Sequence, residues 1–206
     1  MKPDSEYKYE LYRKLIHLFS TVIPVIYCFT SRDFMLLFIG AGTVLMIVLD
    51  LLKAYTFIFE NLYKKVFSGI LREDEKDFKR NLFTGGTYYA VGIFLSVLLF
   101  QKEVAVFSIL IMIWCDTMAA LVGKKYGTRK LIGSKTIVGS VAFIITGFLL
   151  VFTLQYLFPG FNFYKAGFIT VLFAAGFEQL SFIRINDNLS IPVFSGYVFI
   201  IINNFI

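Results

Sequence analysis

Apolar runs of membrane-spanning length follow one another along the chain, at 11–30, 34–52, 84–100, 104–122, 137–158, 166–182 and 191–206. A helix needs about 20 apolar residues to cross a bilayer, with roughly 17–25 tolerated. Inside lipid, backbone groups must be satisfied within a helix or a closed barrel, and runs this long leave only the helix. The expectation is an all-α membrane protein: a polytopic bundle of about seven transmembrane helices. The runs at 84–100, 166–182 and 191–206 are short, which suits tilted, kinked or enclosed helices.

Composition agrees. The chain is 58% hydrophobic, against roughly 45–50% for a soluble domain. Its 206 residues allow one transmembrane domain over 1–206 and no large soluble one. No repeat, low-complexity tract or Pro/Ser linker divides it. Between the second and third runs, Ile58, Leu62, Val66 and Ile70 form an i+4 stripe joined by Phe67 and Leu71. This predicts one interfacial amphipathic helix, or an amphipathic helix packed on the bundle. The mixed charges at 72–80 predict a solvated turn. Glu6 and Glu10 precede the first run and no small-residue cleavage site follows it, so a cleaved signal is not expected.

Of the 20 Lys and Arg residues, only Arg32, Lys102 and Lys165 fall on the side opposite the N-terminus when the runs alternate. Cytoplasmic loops carry the positive excess. A multi-pass integral protein with a cytoplasmic N-terminus and cytoplasmic polar site follows. The net charge of +6 then reflects orientation, and no nucleic-acid partner is expected. Cys28 and Cys115 lie in apolar runs without metal or redox spacing, and read as packing residues.

The polar residues concentrate at 114–140. Asp116, Ala119, Ala120 and Gly123 share one helix face. Beyond it come Lys124, Lys125, Arg129, Lys130 and Lys135 with no acidic residue between them. A buried acid beside a glycine-punctuated cationic loop suits a metal-bound polyphosphate. Asp116 is deep enough to need a partner, either a bundle lysine or a metal ion. Glu10, Arg13, Lys14 and His17 share a face of the first helix, which is either a basic membrane anchor or a phosphate-contacting surface. Thr84 reads as an N-cap, and Gly85 and Gly86 behind it as an amide-rich, anion-binding helix start. Asp50, beside Lys53, reads as an ordinary interfacial acid. Glu178 has no basic residue within five positions. Asp187 and Asn188 suit a helix cap or an Asx-turn. Asp116, Glu178 and Asp187 together resemble an oxygen-ligand site for a hard cation.

ELYRKLIHLFS at 10–20, FTGGTYYAVG at 83–92, CDTMAALVGKKYGTRK at 115–130, GSKTIVGS at 133–140 and EQLSFIRINDNLSIP at 178–192 resemble, in this order, the dolichol kinases, phytol kinases and CTP-dependent diacylglycerol kinases. That family is distantly similar to the phosphatidate cytidylyltransferases. The resemblance implies transfer of the γ-phosphoryl group of CTP, with Mg²⁺ or another divalent cation, to the hydroxyl of a lipid alcohol drawn from the surrounding membrane lipids. The alcohol is a polyprenol, a phytol-like alcohol or a diacylglycerol.

On this reading Asp116, Asp187 and Glu178 hold the metal. Lys124, Lys125, Arg129, Lys135, Arg13 and Lys14 take the phosphates, and Ser134, Thr136, Gly85, Gly86 and Asn188 add contacts to the nucleotide. Asp116, Glu178, Asp187 and His17 form the catalytic set, with Asp116, Glu178 and His17 as candidate bases. Asp116→Asn is expected to melt at an unchanged or higher temperature without metal. Two other readings compete: attack of a lipid phosphate on the α-phosphorus of CTP, releasing pyrophosphate, and a membrane transporter, which predicts an inverted repeat that the chain lacks.

Overall fold

The structure is a computed structural model, and it describes residues 3–67, 82–131, 133, 135–180 and 186–205. The turn expected at 72–80, and Ile70, Leu71 and Ser134, lie outside the described residues. Within them the chain is helical, with a single isolated bridge between Lys130 and Thr136. The helices are α1 (Pro3–Phe19), α2 (Val22–Phe29), α3 (Arg32–Tyr55), α4 (Phe57–Phe67), α5 (Gly85–Leu99), α6 (Lys102–Leu110), α7 (Asp116–Tyr126), α8 (Ile137–Leu157), α9 (Phe163–Glu178) and α10 (Asp187–Phe205).

A π-helical turn, Ile111–Cys115, joins α6 to α7, so that Lys102–Tyr126 forms one continuous helix. This helix is the axis of the bundle. Every residue from Val104 to Ile113 is buried, as expected for a helix that is apolar all round. Helices α1, α2, α5, α8 and α10 pack against it. Helix α9 fills the space between α8 and α10, and α3 lies outside α5.

Four helices among the described residues are long and apolar enough to cross a membrane: Arg32–Tyr55, Lys102–Tyr126, Ile137–Leu157 and Asp187–Phe205. The other three expected spans are shorter than their apolar runs. The run at 84–100 becomes the 15-residue α5, and that at 166–182 the 16-residue α9. The run at 11–30 breaks at Ser20 and Thr21, four and three residues before Pro24. Pro24 has no N–H to give the Ser20 carbonyl, and its ring crowds that carbonyl. The break frees two hydroxyls. Ser20 hydrogen-bonds the Tyr89 hydroxyl on α5, and Thr21 accepts from Trp114 Nε1 at 3.1 Å.

The three basic residues at the far end each serve a helix terminus. Arg32 donates to the Val97 and Leu98 carbonyls at the end of α5. Lys102 donates to the Thr30 carbonyl after α2 at 2.7 Å, and Lys165 to the Asn203 carbonyl of α10 at 3.0 Å. Cations belong at these ends, where free carbonyls and the helix dipole are negative.

Candidate active site

The opposite end of the bundle gathers the charges. Asp116 opens α7 directly after the π turn, and its own N–H bonds the Ile111 carbonyl. Such turns rotate the residues beyond them and recur at functional sites. Lys14 of α1 donates to Asp116 Oδ2. The pair is enclosed, with Lys14 at 2% and Asp116 at 5% exposure. Asp116 therefore has the lysine partner that its depth requires. Breaking a buried pair strands a charge, which reverses the expectation that Asp116→Asn leaves melting unchanged. Arg13 pairs with Glu10 at 2.5 Å, and Lys124 approaches the other Glu10 oxygen at 3.8 Å. His17 turns toward α5 and packs on the Tyr89 ring, with centroids 4.6 Å apart.

A short hairpin supplies the second set. Leu131 N–H bonds the Lys135 carbonyl at 2.9 Å, and Ile137 N–H the Arg129 carbonyl at 3.2 Å. Gly133 takes the positive φ of 60° at the tip, which glycine adopts without steric cost. The hairpin places Lys135 Nζ between Glu178, the last residue of α9, and Asp187, the first of α10, at 3.0 Å from Asp187 Oδ2. Asp187 suits a helix N-terminus, whereas Glu178 sits at a C-terminus, where the dipole opposes an anion. An adjacent cation offsets that opposition. Burial pushes the Lys135 ammonium down, but Asp116, Asp187 and Glu178 outweigh burial and hold its pKa above the usual lysine range. Gln179 Nε2 donates to Glu178 Oε2 at 2.6 Å and to Ser140 Oγ at 2.7 Å.

Asn188 Nδ2 donates to the Gly85 carbonyl at 3.0 Å, joining the starts of α5 and α10. The helices come close at Gly92, where a Cβ would overlap the Asn188 carbonyl oxygen. Pro192, four residues on, has no N–H to give that carbonyl.

Several expectations change. Asp50 is fully buried and is no surface acid. Its carboxylate accepts from Thr84 N–H at 2.7 Å, Thr84 Oγ1 at 3.1 Å, Thr87 Oγ1 at 2.6 Å and Lys53 Nζ at 2.7 Å. The start of α5 thus already carries an anion, where Gly85 and Gly86 were expected to receive a phosphate. Nor does the Thr84 side chain cap α5; its hydroxyl goes to Asp50. Thr136 turns inward. Its Oγ1 accepts from Gly139 N–H at 3.2 Å, capping α8, and Cβ atoms on Gly123 or Gly127 would collide with it. Lys124, Lys125 and Arg129 are exposed, and Lys125 lies over the Tyr126 ring at 5.1 Å.

From the chain alone Asp50 reads as an interfacial acid, and Gln179 carries no mark of a role. Two threonines flanking Gly85-Gly86 were a usable signal for a buried acceptor nearby.

For a divalent cation the fit is one of chemistry, not of present arrangement. Among the described residues no group of three His, Cys, Asp or Glu is spaced to hold a metal. Yet the donors are carboxylate oxygens, as a hard cation prefers. Among the described residues, Gln179 Oε1 is buried without a hydrogen-bond partner. An ammonium already occupies the point between Glu178 and Asp187.

No family model matches the chain, and no solved structure matches it significantly. An uncharacterized protein of Rickettsia prowazekii is 32% identical over 192 residues, covering 91% of this chain and 92% of the relative. CTP-dependent diacylglycerol kinase 1 of Schizosaccharomyces pombe is 36% identical over 91 residues, 43% of this chain and 40% of that protein. Probable phytol kinase 1 of Oryza sativa, a chloroplastic protein, is 28% identical over 130 residues, 54% of this chain and 40% of that protein. The chain spans about two fifths of the length of these two kinases. Over that shared part the chain is similar to these diacylglycerol and phytol kinases.

Proposed function

We propose that this chain is a CTP-dependent lipid-alcohol kinase acting on a polyprenol, a phytol-like alcohol or a diacylglycerol. The observation that carries the reading is the meeting of two acid–lysine sets, Lys14–Asp116 and Lys135–Glu178–Asp187, at one end of the bundle beside the cationic hairpin. The kinase names of the relatives support the reaction class and the donor nucleotide.

In the reaction, the alcohol oxygen bonds the γ-phosphorus as the β–γ bridging bond breaks and CDP leaves. The hydroxyl proton passes to Asp116, Glu178 or His17. Phosphoryl transfer gains most from positioning and charge neutralisation. Lys135, Lys124, Lys125, Arg129, Arg13 and Lys14 supply that charge around the phosphates, and Asn188 fixes the start of α10 beside them. Asp116, Glu178 and Asp187 would hold a divalent cation, magnesium in this reading, whose charge when bound neutralises the phosphate oxygens. The lipid alcohol approaches sideways, and Trp114, 37% exposed and two residues before Asp116, marks a route from the bilayer.

The orientation belongs to the same proposal: seven crossings, with the N-terminus and the site cytoplasmic. The far-end cations Arg32, Lys102 and Lys165 support it, since each serves a helix terminus. The exposed Ile58 and Leu62 of α4 support its place in the interface.

Incubating the purified protein with CTP, magnesium, lipid alcohols and lipid phosphates tests the reaction. CDP formed only with an alcohol supports the kinase. Pyrophosphate formed with a lipid phosphate supports cytidylyl transfer instead.

A further inference from the structure

We propose that Lys135 is an internal counter-cation that closes the metal position until a nucleotide arrives. This rests on the kinase reading of the site and adds its regulation.

The site cannot do without a cation. Glu178 is 3% exposed and stands at the negative end of α9, where an unpaired carboxylate is disfavoured by both burial and dipole. Asp187 faces it from the next helix. Lys135 Nζ meets both carboxylates at once. A divalent ion at that point uses the same oxygens and is repelled by the ammonium, so ion and ammonium exclude one another.

The lysine can be exchanged. Its side chain keeps 20% exposure and that of Asp187 33%, unlike the closed Lys53–Asp50 pair at 0% each. It stands on a hairpin with a glycine tip, beside the exposed Arg129 and Lys130. Phosphate oxygens offer an ammonium an alternative set of charge-assisted bonds. A bare divalent ion offers none. The ion therefore enters together with the nucleotide, whose phosphates receive the displaced Lys135. Gln179 Nε2 keeps hold of Glu178 Oε2 throughout.

The test is Mn²⁺ binding to the full chain in detergent without nucleotide, read from the loss of the free-ion electron paramagnetic resonance signal. Lys135→Gln keeps a hydrogen-bonding side chain and removes the charge. It is expected to bind Mn²⁺ at least about tenfold more tightly than wild type, since one adjacent positive charge has gone. Lys135→Arg keeps the charge and is expected to bind it as weakly as wild type. Adding Asp187→Asn to Lys135→Gln is expected to abolish the gain, tying it to these oxygens. Equal Mn²⁺ affinity in wild type and Lys135→Gln overturns the proposal. So does an Asp187-independent gain. Should Lys135→Gln not fold, Lys135→Met replaces it with the same expectations. No outcome depends on turnover. An absence of kinase activity in wild type defeats the functional reading and leaves the counter-cation standing or falling on the metal data alone.

Discussion

Lys14 and Asp116 form a buried ion pair across 102 positions of sequence, joining the first helix to the central one. Asp116→Asn removes one partner and strands the other charge. The expected loss is about 3–5 kcal/mol of stability, with turnover abolished. Thermal melting in detergent with EDTA measures the first. The double change Lys14→Met with Asp116→Leu buries no charge, and is expected to recover most of the melting temperature while remaining inactive. Recovery of activity in the double variant would make the pair structural alone.

Asp50 predicts a stability effect larger than that of Lys135. Asp50→Ala removes the buried carboxylate that Lys53, the Thr84 N–H and the Thr87 hydroxyl all bond. The expected cost is about 3–5 kcal/mol. Lys135→Gln is expected to cost less, because Lys135 and Asp187 are partly exposed and a cation from solution can take the place of the ammonium. Melting curves of the two variants give the order, and a reversed order would mean that Lys135 holds the fold.

Much of this was legible in the chain. Apolar length gave the helices, and helical spacing put Asp116, Ala119 and Gly123 on one face. What spacing cannot supply is the neighbour opposite. Asp50 and Lys53, near the end of an apolar run, look like a surface pair until Thr84 and Thr87 of α5 are laid over them. Lys14 is a candidate phosphate ligand on its charge alone, and its partner Asp116 comes only with the fold. The π turn before Asp116 escaped because Ile111–Cys115 reads as ordinary apolar helix. Pro24 did announce the break at Ser20, four residues upstream, and the length of the run hid it.

Gly92 predicts a coupling between packing and substrate binding. A methyl group there strikes backbone at the Asn188 carbonyl, not a yielding side-chain tip. Gly92→Ala is expected to cost about 1–3 kcal/mol. It should also raise the KM for CTP several-fold, because Asp187 and Asn188 move with the start of α10. Melting and steady-state kinetics test both parts. An unchanged KM would separate that helix start from the nucleotide.

Topology can be read with single cysteines. Lys130 is exposed on the hairpin, and Gly160 is exposed at the far end with open space where a Cβ would stand. Gly160→Cys spares Lys165, which is engaged with α10. In sealed vesicles an impermeant maleimide added outside is expected to label only one of Lys130→Cys and Gly160→Cys. In whole cells that one is Gly160→Cys. Labelling of both from one side would contradict an odd number of crossings between them.

The most direct measurement follows the two ends of the nucleotide. The purified chain, in vesicles containing diacylglycerol, polyprenol or phytol, receives CTP carrying distinct labels at the α- and γ-phosphorus, with magnesium. The account predicts that γ-label alone enters one of these lipids, that α-label leaves as CDP, and that Asp116→Asn and Asp187→Asn each reduce the transfer at least about a hundredfold. Appearance of α-label in lipid, or undiminished γ-transfer in both variants, would contradict it.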